Sequence, residues 1–424
     1  MNGNNKLLYC TGWFVIAAIL FLKTKAALTL DLFEDEALYW MWSLNPDSSY
    51  SLITLLSIKL STFIFSSHSE FVIRFPALLS NLILIFLLVL ISKELGFESE
   101  KTLLLILSFF SVPLVTIYTN FISPDTFLLL FTVMTYYFWL KLITVNKFRF
   151  YLLSGLSMGL AVLSKYQGVL LFLLFLIITL SDRKSFTKNF KGLASTFSVF
   201  ILTISPVVLW NLFQEPVWLK YYLFTNAETI NGGIFKSLTA FLFSQFSILL
   251  PFVFVLVIYI TILLWIDKPP DKKYYFLRLA YFITICIFFT ATISGKIKGN
   301  WYFISYIPLL FLLPYFHSNK IFKTLTLLSV IFNLFLLVII NLSSQNISSI
   351  SNNKIINYLN SGFQDYRPVT EKNSDKNWAE RISKMNFWKE NIRRIEDEIQ
   401  KSNTQYDFIV SDDYCLLPLM QYYG

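Results

Sequence analysis

The sequence has 424 residues and a formal net charge of +9; 55% of the residues are hydrophobic and only 14% are charged. Soluble domains carry about 25% charged residues, so this composition excludes an ordinary soluble enzyme. With 13 Gly and 13 Pro, the chain is neither fibrous nor disordered. The composition predicts an α-helical protein that crosses a membrane several times.

The apolar segments predict the number of spans, because a spanning helix needs about 20 mostly apolar residues. About eleven segments meet this rule: 8–28, 71–92, 102–121, 124–143, 150–165, 168–182, 193–212, 238–266, 276–294, 301–317 and 322–342. The two short segments between 150 and 182 are either two spans or one broken helix. The first segment follows only Lys6 and lacks a cleavage site, which favours a retained anchor over a removed signal peptide.

Lysine and arginine collect in alternate loops, and the positive-inside rule makes those loops cytoplasmic. The basic surplus therefore reflects topology, and no nucleic-acid partner is expected. The N-terminus is predicted to be cytoplasmic. The opposite loops hold most of the acidic residues and are predicted to face outward.

Hydropathy falls sharply after residue 342, and by parity the rest of the chain lies outside. Helical spacing of apolar residues near 387–399 and a strand pattern over 406–410 predict a small α/β domain. Its terminus is either truncated or minimal. The predicted domains are thus a transmembrane domain, 1–342, and a C-terminal periplasmic domain, 343–424.

Four carboxylates and an aromatic cluster, residues 31–42, follow the first span at the outer boundary of the membrane. A partly desolvated carboxylate is a stronger base and a natural ligand for a divalent cation. Asp35 and Glu36 are adjacent, about 100° apart on a helix, so only one is expected to point fully into a site, and Asp35 is the better candidate. The alternative is a solvated acidic loop before an interfacial aromatic belt.

Two further outward turns carry charges. Asp125 follows Pro124 at the start of a predicted helix, where it either has a functional role or only favours the helix dipole. Lys296 and Lys298 lie in a very short outward loop, against the positive-inside rule, and together with Asn300 they could hold a phosphate. Solvated lysines, or lysines paired with anionic lipid headgroups, are the alternative.

Lys165 and Arg74 also lie at the outer ends of predicted spans. Each either snorkels towards the interface or binds a phosphate. Together with the carboxylates and the loop lysines, they place amines and acids on one face of the topology. This arrangement fits transfer of a glycosyl group from a lipid-linked phosphate, in which amines hold the departing phosphate and a carboxylate takes the acceptor proton.

The sequence resembles the GT-C integral-membrane glycosyltransferases of the protein mannosyltransferase and aminoarabinose transferase type. The resemblance covers most of the chain and rests on six motifs in order. They are Asp35-Glu-Ala-Leu-Tyr-Trp40, Phe71 to Pro76, Ser123-Pro-Asp125, Gly155 to Tyr166, Ser205 to Asn211 and Lys298-Gly-Asn-Trp301.

The resemblance implies an inverting transfer from a polyprenyl-phosphate sugar to lipid A, lipopolysaccharide core or another envelope glycan, in contact with membrane lipids. The candidate catalytic carboxylates are Asp35, Glu36 and Asp125. The candidate phosphate-binding cations are Lys165, Lys296, Lys298 and Arg74. The candidate substrate-binding side chains are Tyr39, Tyr166, Asn300 and Trp301. Asp35 and Asp125 are also the candidate ligands if a divalent metal ion takes part; no other cofactor is expected.

One departure from the family pattern leaves other functions open. Family members commonly follow the first acidic motif with a tyrosine and an H-P-P or K-P-P segment, whereas residues 48–54 here read Ser-Ser-Tyr-Ser-Leu-Ile-Thr. Lys59, Lys23 or Lys25 substitutes for it, or the substrate preference differs, or activity is reduced. The alternatives to an enzyme are a lipid or solute transporter and a non-catalytic partner in envelope assembly.

Overall fold

A computed structural model shows a mostly helical chain. It describes residues 3–46, 50–181, 187, 189–213, 233–266, 271–293, 299–316, 318–343, 392–393, 397 and 416–423. The helices in chain order are α1 Gly3–Thr29, α2 Glu34–Leu44, α3 Leu52–Phe65, α4 Glu70–Leu95, α5 Ser99–Phe110, α6 Pro113–Tyr118, α7 Pro124–Thr144, α8 Phe148–Ser164, α9 Val169–Ser181, α10 Phe190–Phe213, α11 Gly233–Ile266, α12 Lys272–Ile293, α13 Phe303–Leu312, α14 Lys320–Ser343 and α15 Leu416–Tyr423.

Within the described ranges, seven helical segments are long and apolar enough to cross a membrane. They are Tyr9–Thr29, Glu70–Leu95, Pro124–Thr144, Phe190–Phe213, Ser237–Ile266, Lys272–Ala291 and Lys320–Leu342. The chain is therefore a multi-pass membrane protein, as its composition predicts. The count of about eleven spans stays a prediction.

Two of the predicted spans, 102–121 and 301–317, are interrupted, and the short pair between 150 and 182 forms two separate helices. Residues 102–121 are split into α5 and α6, because Pro113 begins a new helix at a position where it needs no amide hydrogen bond. Residues 150–182 form α8 and α9, separated by a 3-10 turn over Tyr166–Gly168. Residues 301–317 contain only the ten-residue helix α13 between two 3-10 turns.

The chain divides into two compact units. Unit 1 comprises Met1–Ala18, Asp47–Thr54 and Ala77–Asn333, and unit 2 comprises Ile19–Pro46, Leu55–Pro76 and Leu334–Gly424. The division differs from the predicted boundary at 342, which stays a prediction. The predicted helix near 387–399 lies almost wholly outside the described residues, and the predicted strand over 406–410 lies entirely outside them.

In unit 1, α8 packs between α7 and α10. The contact with α10 is close because Gly155 faces the backbone of α10: a Cβ at this position would lie 2.4 Å from the carbonyl oxygen of Thr196. Thr196 in turn donates a hydrogen bond to the carbonyl of Tyr151 at 3.0 Å. Small residues spaced four apart commonly allow such close packing in membranes, and Gly159 repeats the contact against Thr203.

All ten residues of α13 are buried, so this short helix lies at the centre of unit 1. In unit 2, α15 packs against α2. Three of the candidate functional residues, Asp35, Glu36 and Tyr39, lie on α2.

Candidate active site

A buried ion pair between Asp125 and Lys165 is the principal polar feature of the candidate site in unit 1. Ser123 and Pro124 begin α7, which places Asp125 in its first turn, where the helix dipole favours a carboxylate. Lys165 follows α8 directly and has an extended backbone. Its amine lies 2.8 Å from both carboxylate oxygens of Asp125, and the side chains are 6% and 15% exposed.

The reversal at Lys165 depends on Gly168. A Cβ at Gly168 would lie 2.4 to 2.6 Å from backbone atoms of Ala161 and Val162, so only glycine allows the 3-10 turn to fold back onto α8. The turn holds Tyr166 half-buried, with its ring edge-on to Tyr50 at 5.9 Å. The end of α8 and the tight turn at Gly168 together direct the Lys165 side chain towards α7.

A small cavity adjoins the ion pair. Its polar lining consists of Tyr118, Asp125, Gln167 and Asn300, and the indole of Trp301 adds an aromatic face. The remaining wall is hydrophobic and comes from Leu128, Leu129, Phe303, Ile304 and Ile307. The structure therefore brings together three sequence-predicted residues at this cavity, Asp125, Asn300 and Trp301, and holds Lys165 against one of them.

Glu36 and Arg74 form a second buried ion pair, within unit 2. Nη2 of Arg74 lies 2.6 Å from Oε2 of Glu36, and both side chains are at most 2% exposed. The guanidinium also donates to the backbone carbonyls of Leu30, at 2.7 Å, and Asp31, at 2.6 Å. Glu36 Oε2 accepts a further hydrogen bond from the Phe33 amide at 3.0 Å, which caps α2.

This geometry gives Arg74 and Glu36 a positioning role. Every nitrogen of the Arg74 guanidinium donates to Glu36 or to a carbonyl in the turn before α2. The pair thus fixes the turn that carries the acidic motif. Their predicted roles in phosphate binding and catalysis stay predictions without a supporting contact.

Asp35 and Tyr39, one turn apart on α2, differ in exposure. Asp35 is exposed, whereas Glu36 is 1% exposed, so the two adjacent carboxylates point in different directions, as the helical spacing predicts. Tyr39 is buried and its ring lies edge-on to Trp42 at 6.0 Å. Lys296 and Lys298 lie outside the described residues.

The C-terminal helix α15 contributes contacts that the sequence did not predict. The hydroxyl of Tyr423 accepts a hydrogen bond from the Leu32 amide at 2.7 Å, and the hydroxyl of Tyr422 donates to the His68 carbonyl at 2.5 Å. The ring of Tyr422 lies edge-on to Trp40 at 4.9 Å. Burial raises the pKa of both tyrosines, and the nearby carboxylates of Asp31 and Glu70 raise it further.

Tyr118 and Gln167 are lining residues that the sequence analysis missed. Gln167 lies two residues after Lys165, and this proximity in the chain was the available signal for it. No feature of the sequence pointed to Tyr118, because residues 102–121 were predicted to form one continuous span.

The predicted metal ligands do not fit a metal ion well. Both oxygens of Asp125 accept hydrogen bonds from Lys165, a cation that would compete with a metal. In the part of the chain that the structure describes, no group of three or more His, Cys, Asp or Glu residues is placed to hold a metal.

Comparison with known proteins finds a partial match to a family model and solved structures with a similar fold. Residues 49–210, less than half of the chain, match the sequence model of the family described as dolichyl-phosphate-mannose-protein mannosyltransferase. No curated protein matches the sequence significantly.

Two crystal structures of ArnT from Cupriavidus metallidurans share the fold. The apo structure superposes with a TM-score of 0.56 at 17% identity, over 72% of this chain and 59% of that one. The structure bound to undecaprenyl phosphate superposes with a TM-score of 0.56 at 14% identity, over 97% of this chain and 74% of that one. This chain has the fold of ArnT. The family resemblance in its sequence is thereby confirmed, although the apo alignment spans only about three fifths of ArnT's length.

Proposed function

We propose that this protein is a membrane glycosyltransferase that moves a sugar from a polyprenyl-phosphate donor to an envelope acceptor. The acceptor is lipid A, lipopolysaccharide core or another glycan, at the outer face of a bacterial inner membrane. The observation that carries the proposal is the Asp125–Lys165 ion pair beside a cavity that Trp301 and Asn300 line. The GT-C fold, shared with an ArnT structure bound to undecaprenyl phosphate, supports the donor class.

Lys165 is suited to the departing phosphate. Its ammonium is shielded from water, where an electrostatic interaction with a developing negative charge is stronger than in solution. Asp125 holds the amine in one position, and the ammonium can pair with a phosphate oxygen as the bond to the sugar breaks. Lys296 and Lys298 remain proposed phosphate ligands on sequence grounds.

The proposed reaction is a single displacement with inversion. The acceptor hydroxyl attacks the anomeric carbon, the bond from that carbon to the phosphate oxygen breaks, and polyprenyl phosphate leaves. The proton of the acceptor hydroxyl passes to a carboxylate, and we assign this role to Asp35, which is exposed in the first turn of α2. Tyr39 and Tyr166 remain proposed substrate-binding residues.

The experiment compares envelope lipids and polysaccharides by mass spectrometry in cells with and without the gene. Complementation uses wild type, Asp35→Asn or Asp125→Asn at matched protein levels. We expect one sugar-sized mass to disappear with the gene and to return only with wild type. An unchanged envelope, or full restoration by both variants, would contradict the proposed function.

A further inference from the structure

Two buried polar side chains in the cavity beside Asp125 have hydrogen-bonding capacity that the described residues leave unused. The Gln167 amide nitrogen and the Tyr118 hydroxyl are both inaccessible to solvent. The Gln167 nitrogen makes no hydrogen bond to any described residue, whereas the Tyr118 hydroxyl interacts with the side chain of Asn300, which lines the same cavity. Tyr118 and Gln167 are 7% and 8% exposed, and both line the cavity. A buried polar group without a partner costs about 1–3 kcal/mol, so the Gln167 nitrogen calls for one.

The size of the cavity limits what it can hold. The free space is about 10 Å³, which is enough for one water molecule or one substituent, but not for a sugar ring. Trp301 and Asn300 line the same cavity and are only partly buried. A sugar ring that lies outside the cavity could therefore place one of its substituents inside it.

The donor and acceptor pattern selects the type of substituent. The Gln167 nitrogen can only donate, the Tyr118 hydroxyl can donate or accept, and the ionised Asp125 can only accept. A hydroxyl group can bond to all three, since its oxygen accepts from Gln167 and Tyr118 and its proton is donated to Asp125. An ammonium group would face the Gln167 donor without an acceptor there, and an apolar substituent would leave the Gln167 nitrogen unpaired.

We propose that Tyr118, Gln167 and Asp125 form a subsite that recognises one hydroxyl group of the substrate and thereby determines specificity. The inference rests on the proposed function and deepens it. The hydroxyl belongs either to the sugar of the lipid-linked donor or to the acceptor. A site built to bind a hydroxyl discriminates strongly against analogues that lack it, because the buried polar groups are then left unpaired.

The first experiment measures binding to the full-length protein in nanodiscs. The probes are undecaprenyl phosphate alone and a panel of undecaprenyl-phosphate hexoses and pentoses. The proteins are wild type, Tyr118→Phe, Gln167→Met and, as a matched control, Tyr136→Phe. Tyr136 is a suitable control because its hydroxyl is also buried, yet it does not line the cavity.

If the hydroxyl is on the donor sugar, the two cavity variants bind the preferred sugar-linked donor about three- to tenfold more weakly. Their affinity for undecaprenyl phosphate alone, and the affinities of the control, remain at the wild-type level. The monodeoxy analogue that lacks the recognised hydroxyl binds wild type more weakly by a similar factor. Gln167→Met then adds little further loss with that analogue.

The second experiment measures transfer in membranes that contain the native acceptors. If the hydroxyl belongs to the acceptor, donor binding is unchanged in the cavity variants, but the acceptor KM rises about three- to tenfold. Unchanged donor binding together with unchanged transfer would overturn the subsite and leave a buried water as its occupant. A panel in which no sugar-linked donor binds more tightly than undecaprenyl phosphate, with acceptor KM also unchanged, would overturn it as well.

The outcomes separate the subsite from the proposed function. Wild type that binds neither undecaprenyl phosphate nor any sugar-linked donor would contradict the glycosyltransferase itself. Wild type that binds and transfers normally, with variants that behave like Tyr136→Phe, would contradict only the subsite.

Discussion

The amine of Lys165 lies 2.8 Å from each carboxylate oxygen of Asp125, and the two side chains are 6% and 15% exposed. A pair this buried is costly to desolvate, so replacing both members by neutral residues of similar volume is often neutral for stability. The pair therefore fits a chemical role better than a purely structural one.

We expect the double variant Asp125→Asn/Lys165→Met to fold like wild type and to lose about 10²- to 10⁴-fold in transfer rate. The measurements are thermal unfolding in detergent and sugar transfer in membranes. The matched control is Glu94→Gln/Lys141→Met, which removes an ion pair of the same unit that lies away from the cavity. Wild-type transfer by the Asp125/Lys165 double variant would show that these charges do not take part in the reaction.

Arg74→Met should destabilise unit 2 by about 3–5 kcal/mol, because it leaves the Glu36 carboxylate buried without its cation. Arg74→Lys should restore little of this loss, since one ammonium cannot replace a guanidinium that reaches Glu36 and three backbone carbonyls. Thermal unfolding of the purified proteins measures both effects. Equal stability of Arg74→Met and wild type would contradict the positioning role.

Asp35→Asn and Glu36→Gln should separate catalysis from structure within one turn of α2. Asp35 is exposed, so we expect Asp35→Asn to unfold at the wild-type temperature while transfer is abolished. Glu36→Gln weakens the contact with Arg74 and the cap on Phe33, so its unfolding temperature should fall. Unfolding temperature and transfer are measured on the same preparations. A lower unfolding temperature for Asp35→Asn, together with loss of transfer at an unchanged unfolding temperature for Glu36→Gln, would assign catalysis to Glu36 and the structural role to Asp35.

The docking of α15 should weaken in strongly alkaline solution. Both tyrosines have a raised pKa in the folded state, so they stay neutral there while the unfolded chain ionises above about pH 10. Their stabilising contribution is therefore complete below pH 10 and is lost as the pH rises towards the folded-state pKa.

The variant Tyr422→Phe/Tyr423→Phe tests this dependence. It loses two hydrogen bonds, so we expect it to be less stable than wild type by about 1–3 kcal/mol at pH 7. The difference should shrink between pH 9.5 and pH 11 in thermal unfolding scans, because only wild type carries the ionisable hydroxyls. A difference that stays constant over this range would contradict the linkage.

Gly155→Ala and Gly168→Ala should each destabilise unit 1 by about 1–3 kcal/mol, because the added Cβ would meet backbone atoms at 2.4 Å. Gly12→Ala is the matched control: its Cβ would meet the flexible side chain of Leu103, which can move. Unfolding temperatures that fall equally in all three variants would show that the backbone contacts are not decisive.

Individual motif residues predict some local features of the structure but not their long-range partners. Pro124 and Asp125 predict the start of α7, because proline and an acidic residue are both favourable in a first helical turn. Asp35 and Glu36 predict divergent side chains from helical spacing alone. Arg74 was assigned to a phosphate, because its charge was visible in the sequence and its partners, 38 to 44 residues away, were not.

Local features of the sequence therefore determined the membrane class, the apolar helices and the GT-C resemblance, since hydropathy, proline positions and short motifs act over one or two helical turns. Only the tertiary structure decided which charges pair: Lys165 with Asp125, and Arg74 with Glu36. It also decided that Tyr118 and Gln167 line one cavity. A buried charge or donor takes the partner that packing brings within hydrogen-bonding distance, and packing depends on residues that are far apart in the chain.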